Sequence, residues 1–304
     1  MKDLIIIGSG PAGLSAAIYA RRAELDFVVL EKAPMSGGQI VDTYEVDNYP
    51  GLPGMNGFDL AMAFRAHADK LGVNFENAEV TAIEKKPDGS FLVHTDQADY
   101  EAKTILLVMG ASHAKLGVPG EESLRGSGVS YCATCDGAFF RDKMAMVIGG
   151  GDVALEDALF LARGCSKVYL VHRRDEFRGT MILQKQVKEN DKIEILWDSV
   201  LTEIKGDAKV QNAVIKNVKT GEEKAVDTDA VFIAVGIVPA TDFVKDLVKT
   251  DEKGFIEADE NTATSVPGIF AAGDIRTKRL RQVITAASDG ACAVTAVTDY
   301  LTTL

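Results

Sequence analysis

Cys132-Ala133-Thr134-Cys135 is followed directly by Asp136. Two residues between two cysteines suit a small disulfide ring at the start of a helix, where a thiolate is stabilised. The same spacing is half of a zinc site, and zinc needs four ligands. The four cysteines of the chain contain no second Cys-x-x-Cys. Cys165 and Cys292 stand alone on apolar stretches and are expected as buried small hydrophobes. His67, His94, His113 and His172 show neither ligand spacing nor a triad partner. The expectation is redox chemistry at Cys132 and Cys135, and no metal.

The second chemistry-bearing pattern is a glycine turn that occurs twice. Leu4–Glu31 reads LIIIGSGPAGLSAAIYARRAELDFVVLE and Ala145–His172 reads AMVIGGGDVALEDALFLARGCSKVYLVH, aligned without a gap at an offset of 141. Gly8, Gly10 and Gly13 fall on Gly149, Gly151 and Ala154, with Ser9, Pro11 and Ala12 matched by Gly150, Asp152 and Val153. Each copy is an apolar run, a glycine turn, a helical stretch and a second apolar run, which is a βαβ unit. The first glycine allows the tight turn. The second lets the backbone approach a pyrophosphate at the helix N-terminus, and the small third residue lets helix and strand pack closely. One such turn is weak evidence; two in matching frames predict two dinucleotide-binding folds.

The residue ending the second strand separates the ligands. Glu31 lies 18 residues after Gly13, where a carboxylate accepts hydrogen bonds from an adenosine ribose. That suits FAD or NAD. The second copy has His172-Arg173-Arg174 there, followed by Arg178. Guanidinium groups at that place grip a ribose 2′-phosphate through forked, charge-assisted hydrogen bonds. The first site therefore suits FAD and the second NADPH.

These turns need sheets to carry them. Lys103–Ala111 and Asp229–Pro239 are each a buried-strand run reaching a glycine, Gly110 and Gly236, where the chain leaves a dinucleotide fold, and both glycines are candidate cofactor-binding residues. Val80–Thr95 alternates around Pro87-Asp88-Gly89, a hairpin signature, and Ile193–Val218 carries similar short strands. Gly268–Asp274 reads as a short strand ending in an acid, and a helix-like run follows from Arg281 to Leu301. This tail resembles completion of the first fold. The second fold is thus expected as an insert in the first, with crossings near 113–118 and 240–245. The predicted fold class is α/β: two Rossmann-type domains, each with a small antiparallel insert. Residues 1–115 and 243–304 form the FAD domain, and 116–242 form the NADPH domain carrying the redox pair.

Composition agrees with an enzyme and excludes other classes. The 304 residues are 46% hydrophobic and 26% charged, an ordinary globular balance. The net charge of −12 argues against nucleic acid as the main partner. No apolar run approaches the roughly 18–20 residues of a membrane span. Lys2 and Leu4–Ile7 mimic the start of a signal peptide, but Asp3 and the glycines at 8, 10 and 13 interrupt it. A cytoplasmic location and no membrane partner are expected.

Four segments in this order resemble the low-molecular-weight thioredoxin reductases of bacteria, over essentially the whole chain. They are Gly8–Gly13, Cys132–Phe140, His172–Arg178, and Ala271–Asp274 with Arg281-Gln282. The resemblance implies a homodimer whose NADPH domain is inserted in its FAD domain. It implies that Gly8–Gly13, Glu31, Lys32, Gly37, Gly38, Gln39, Asn48, Asp274, Arg281, Gln282 and Val283 surround FAD, together with Gly273. It implies that Gly149–Ala154, His172, Arg173, Arg174 and Arg178 hold NADPH. Cys132 and Cys135 are implied as the redox pair, Cys135 facing the flavin and Cys132 attacking a thioredoxin-like partner, with Asp136 as the acid. Val153 stands where the family usually has serine, and Ala240 where Pro-Asn-Thr is usual. These departures touch the nucleotide site and not the redox centre.

The resemblance implies hydride passing from NADPH to FAD and electrons from there to the disulfide. Nicotinamide and cysteines would both have to reach one flavin from the inserted domain, so rotation about the two crossings is expected. Rival readings are an FAD-dependent dithiol oxidase, which would not need the arginines, and a ferredoxin-driven reductase, which would lack the second glycine turn. A non-catalytic flavin-binding redox sensor is the third.

Overall fold

The computed structural model describes residues 1–43, 46 and 48–304. In chain order its α-helices are α1 (Pro11–Arg22), α2 (Gly57–Lys70), α3 (Ala133–Asp136), α4 (Asp152–Ala162), α5 (Met181–Lys188) and α6 (Val283–Leu301). The chain divides into two compact units, Met1–Ser112 with Val238–Leu304, and His113–Ile237. The crossing strands Ala111–His113 and Ile237–Pro239 pair with each other as a two-stranded ribbon.

The first unit is built on a sheet ordered 75–77, 27–31, 2–7, 100–107. These strands are parallel, and the buried stretches Leu4–Ile7, Phe27–Leu30 and Ile105–Leu107 are continuously apolar, as strands covered on both faces must be. The long strand Tyr100–Leu107 serves two neighbours. Its first residues pair antiparallel with Phe91–Thr95, which pairs in turn with Val80–Lys85. Its last residues pair parallel with Ile269–Ala271, so the tail of the chain extends the sheet begun at Lys2. On one face α1 and α6 meet through small residues. A Cβ on Gly290 would lie 2.1 Å from the Ala12 carbonyl oxygen, and the Ser15 hydroxyl donates to the Ala287 carbonyl at 2.7 Å.

The second unit repeats the plan with an all-parallel sheet ordered 193–196, 167–171, 144–148, 230–233, 129–130. A separate antiparallel sheet joins Ser199–Lys205, Asn212–Asn217 and Glu223–Asp227. The expected start of the last helix moves from Arg281 to Val283, because Gln282 caps it reciprocally with Thr285. The placement of Cys292 is a correction. It is exposed, whereas Cys165 is buried. The stripe that α6 turns inward is Ala286, Asp289, Gly290, Ala293, Val294 and Val297. Cys292 lies beside this stripe, so its apolar neighbours in sequence do not bury it.

Candidate functional site

In the first unit the predicted cofactor residues gather at the C-terminal ends of the parallel strands. Gly8 has φ of +110°, which only glycine adopts freely. A Cβ on Gly13 would stand 2.2 Å from the Gly8 carbonyl oxygen, so the turn and α1 touch directly. Gly10 is the N-cap of α1 and Pro11 its first residue, with no side chain capping the helix. The free amides there fit an anionic pyrophosphate. Gly37 and Gly38 close over this turn. The Gly37 amide donates to the Ser9 carbonyl at 2.9 Å, and the nearest atoms to a Cβ on Gly10 would be Gly37 and Gly38 backbone at 3.9 Å. Glu31 ends its strand and accepts from the Ser9 amide at 2.7 Å, the Ser9 hydroxyl at 2.8 Å and the Ala33 amide at 2.9 Å.

The tail supplies the other wall. Gly273 packs on the first turn of α1, a Cβ there standing 2.9 Å from that of Ala12. Asp274 follows it in a short turn, its Oδ1 buried and without a hydrogen-bond partner. Burial pushes the Asp274 carboxyl up, against the pull of Lys278 and Arg281. An orphaned buried acceptor beside an uncapped helix start fits a ligand hydroxyl, so this cradle suits a dinucleotide such as FAD. Asn48 donates to the Gln282 side chain at 2.9 Å, bringing two predicted residues together. Val283 packs against the Ile40, Val46, Leu60 and Ala61 cluster. Arg281 spends its guanidinium on the Asp274 and Arg276 carbonyls. Lys32 lies 3.6 Å from Glu79, and Gln39 is exposed in the 38–42 turn. Gly110 and Gly236 mark the crossings, accepting from the Ala240 and Ala114 amides respectively.

The second cradle differs where the ligands were expected to differ. Gly151 caps α4, again with no side-chain cap, and a Cβ on it would meet nothing within 4 Å. Ala154 packs under Gly149, and Asp152 accepts from the Thr180 amide at 2.7 Å. Val153 is exposed. His172 is buried against Gly150, where a Cβ would overlap its ring. Burial, helped by Arg178 and Arg173, pulls the His172 imidazole down. Its Nε2 is buried with no partner. The Arg178 amide donates to the Gly150 carbonyl at 2.8 Å, tying the arginine loop to the glycine turn. Arg173, Arg174 and Arg178 are exposed, and among the described residues their guanidinium groups have no acceptor. This donor set fits a phosphate-bearing pyridine nucleotide.

The redox centre lies in the same unit. Cys132 and Cys135 form a disulfide, their Cα atoms 5.3 Å apart. Cys132 is the N-cap of the single-turn helix α3 and its carbonyl accepts from the Cys135 and Asp136 amides. Ser130, at the end of a parallel strand, donates to Asp136 Oδ2 at 2.5 Å and accepts from the Cys132 amide at 3.1 Å. Asp136 Oδ1 is buried and unpartnered. Burial raises the Asp136 carboxyl, with Ser130 acting against it. Gly137 seats this turn on α4, where a Cβ would lie 2.9 Å from Leu161 and 3.1 Å from Phe160. One helix thus carries the nucleotide cradle at its N-terminus and the redox turn near its other end, some 12 Å away at about 1.5 Å per residue.

Sequence reasoning missed Ser130, and it missed Glu121. Glu121 is buried and accepts from the Leu116, Gly117 and Val118 amides and from the Tyr131 hydroxyl. It ties the stretch after the first crossing to the residue preceding Cys132. An acid inside Pro119-Gly120-Glu121 is the one signal available for it.

Comparison with known proteins agrees with this geometry. The pyridine nucleotide-disulphide oxidoreductase model matches residues 2–290. The thioredoxin reductase of Bacillus subtilis is 42% identical over 300 residues, covering 98% of this chain and 94% of that protein. That of Treponema pallidum is 44% identical over 303 residues, covering 99% and 98%. The crystal structure of thioredoxin reductase from Streptococcus pyogenes superposes with a TM-score of 0.94 at 47% identity, covering 100% and 99% of the two chains. The Lactococcus lactis enzyme in its FR conformation is 44% identical with full coverage of both chains, yet superposes with a TM-score of 0.70.

Proposed function

The chain belongs to the pyridine nucleotide-disulphide oxidoreductase family, and we propose that it uses NADPH, FAD and the Cys132–Cys135 disulfide to reduce a thioredoxin-like protein. The observation that carries this reading is the redox turn built onto the helix that begins the second nucleotide cradle. Bound FAD would accept hydride from NADPH and deliver electrons to the disulfide. Everything else falls to the residues of this chain.

The Gly8–Gly13 turn and the start of α1 hold the FAD pyrophosphate, with Glu31 for its ribose and Asp274 as a further acceptor. The start of α4 holds the NADPH pyrophosphate. Arg173, Arg174 and Arg178 hold its 2′-phosphate, and those three charges favour NADPH over NADH. Once reduced, the Cys132 thiolate attacks the partner disulfide, forming a mixed disulfide while the released partner sulfur takes up a proton. Cys135 then returns its proton to the Asp136 carboxylate and, as thiolate, attacks Cys132 Sγ, releasing the second partner thiolate and closing the ring. Asp136, whose carboxyl is raised by burial, supplies a proton at the Cys135 sulfur when the dithiol forms.

Hydride entry and thiol exit make competing demands on the second unit, and rotation about its two crossings resolves them. The unequal superposition of two relatives of nearly equal identity supports such motion in the family. A cytoplasmic location is part of the same reading, since reducing compartments keep protein dithiols in use, and so is the homodimer that the family resemblance implies. The test is NADPH oxidation with a panel of thioredoxin-fold disulfides. Saturable turnover with at least one of them is expected. Turnover that responds to small disulfides alone would contradict the reading.

A further inference from the structure

Resting on the FAD reading above, we propose that Asp289 on α6 is a positioning residue for the flavin cradle, holding the 273–278 loop in the shape that presents Asp274. No motif marks it. Asp289 is 8% exposed, in a helix whose inward stripe is otherwise small and apolar. Its Oδ2 accepts from the Gly273 amide at 3.0 Å, Arg276 Nε at 2.8 Å and Lys278 Nζ at 2.9 Å. Its Oδ1 accepts from the second fork of Arg276 at 2.9 Å. One carboxylate therefore takes four donors from one short segment, and those donors bracket Asp274 on both sides.

The anchor sits at a close helix–helix contact. Asp289 precedes Gly290, whose contact with the Ala12 carbonyl locks α6 against α1. Gly273, held by Asp289, also rests on Ala12. The first turn of α1, the α6 helix and the acid-bearing loop are thus fixed to one another through Asp289. The Arg276 and Lys278 side chains are 14% and 9% exposed. A buried cluster of charges gives little stability over an apolar filling of the same volume. What it supplies here is direction. Forked, charged hydrogen bonds fix the loop backbone in a way that apolar packing does not. Arg281 grips the same loop at the Asp274 and Arg276 carbonyls, and Asp274 is left with one buried oxygen free for a ligand.

The experiment measures FAD release from the purified holoenzyme by the fluorescence of freed flavin. D289N is expected to release FAD about tenfold faster or more, the scale of one lost charged hydrogen bond, with the KM for NADPH unchanged. D274N should show a comparable loss, and D289N added to it should change little further, because the two act as a unit. The apolar triple variant R276M/K278M/D289L keeps the volume filled. It should melt no lower than the wild type as apoprotein and still release FAD fast, which separates positioning from folding and carries the test if D289N fails to fold. Wild-type release rates in D289N or in the triple variant, or additive effects with D274N, would overturn the clamp. A wild-type protein that takes up no FAD would overturn the flavin reading beneath it instead.

Discussion

The Ser130 hydroxyl reaches Asp136 Oδ2 at 2.5 Å and leaves Oδ1 buried without a partner. This one bond opposes the burial that raises the Asp136 carboxyl. An acid whose hold on its proton is strengthened by burial, next to a cysteine pair, can give that proton as the dithiol forms. Asp136→Asn should slow electron passage from flavin to disulfide by about 10²–10⁴-fold, read by anaerobic stopped flow. Ser130→Ala removes the opposing bond and should move the acid-dependent limb of the pH profile to higher pH.

The same carboxyl should lower stability at neutral pH. Its folded pKa lies above the ordinary 3.8, so its contribution is fully present below that value and is lost as pH rises through the raised one. Asp136→Asn should therefore melt higher than the wild type at pH 7 and show no advantage near pH 3. Equal melting temperatures at both pH values would show that the carboxylate is solvated.

Loss of Arg173 or Arg174 should raise the KM for NADPH about 10–100-fold with kcat nearly constant, given roughly 1.5–3 kcal/mol per charged hydrogen bond. NADH has no 2′-phosphate and its weak use should be unchanged. Steady-state kinetics with both nucleotides decides the matter. Equal losses for the two would make the arginines structural.

Gly10 and Gly151 offer a cleaner test of the two cradles than the tightly packed Gly8 or Gly13. Both have ordinary negative φ, and a Cβ would meet no protein atom closer than 3.9 Å at Gly10 and none within 4 Å at Gly151. Gly10→Ala and Gly151→Ala should fold normally. The first should lose FAD and the second NADPH affinity, as seen by flavin absorbance and by nucleotide titration.

Much of this was legible because the chemistry dictates residue types at fixed spacing. A glycine turn needs glycine at set offsets from a strand end, and Cys132 and Cys135 are separated by a single turn. Asp289, Arg276 and Lys278 were not legible, since their meeting depends on how the loop folds back on α6. Ser130 reads as an ordinary strand residue until its strand is placed beside α3. Cys292 is exposed despite its apolar sequence neighbours, because those neighbours do not say which side of α6 is covered. In the native protein a thiol reagent should therefore label Cys292 readily and Cys165 only after unfolding, with mass spectrometry of labelled peptides as the check.

Electrons are expected to leave the protein through the Cys132–Cys135 pair. The direct measurement is anaerobic mixing of NADPH with Cys132→Ser and Cys135→Ser holoenzymes, following flavin absorbance and thioredoxin thiols together. NADPH is expected to bleach the flavin in both variants, and neither variant is expected to reduce thioredoxin. Appreciable thioredoxin reduction by either variant would contradict that exit route.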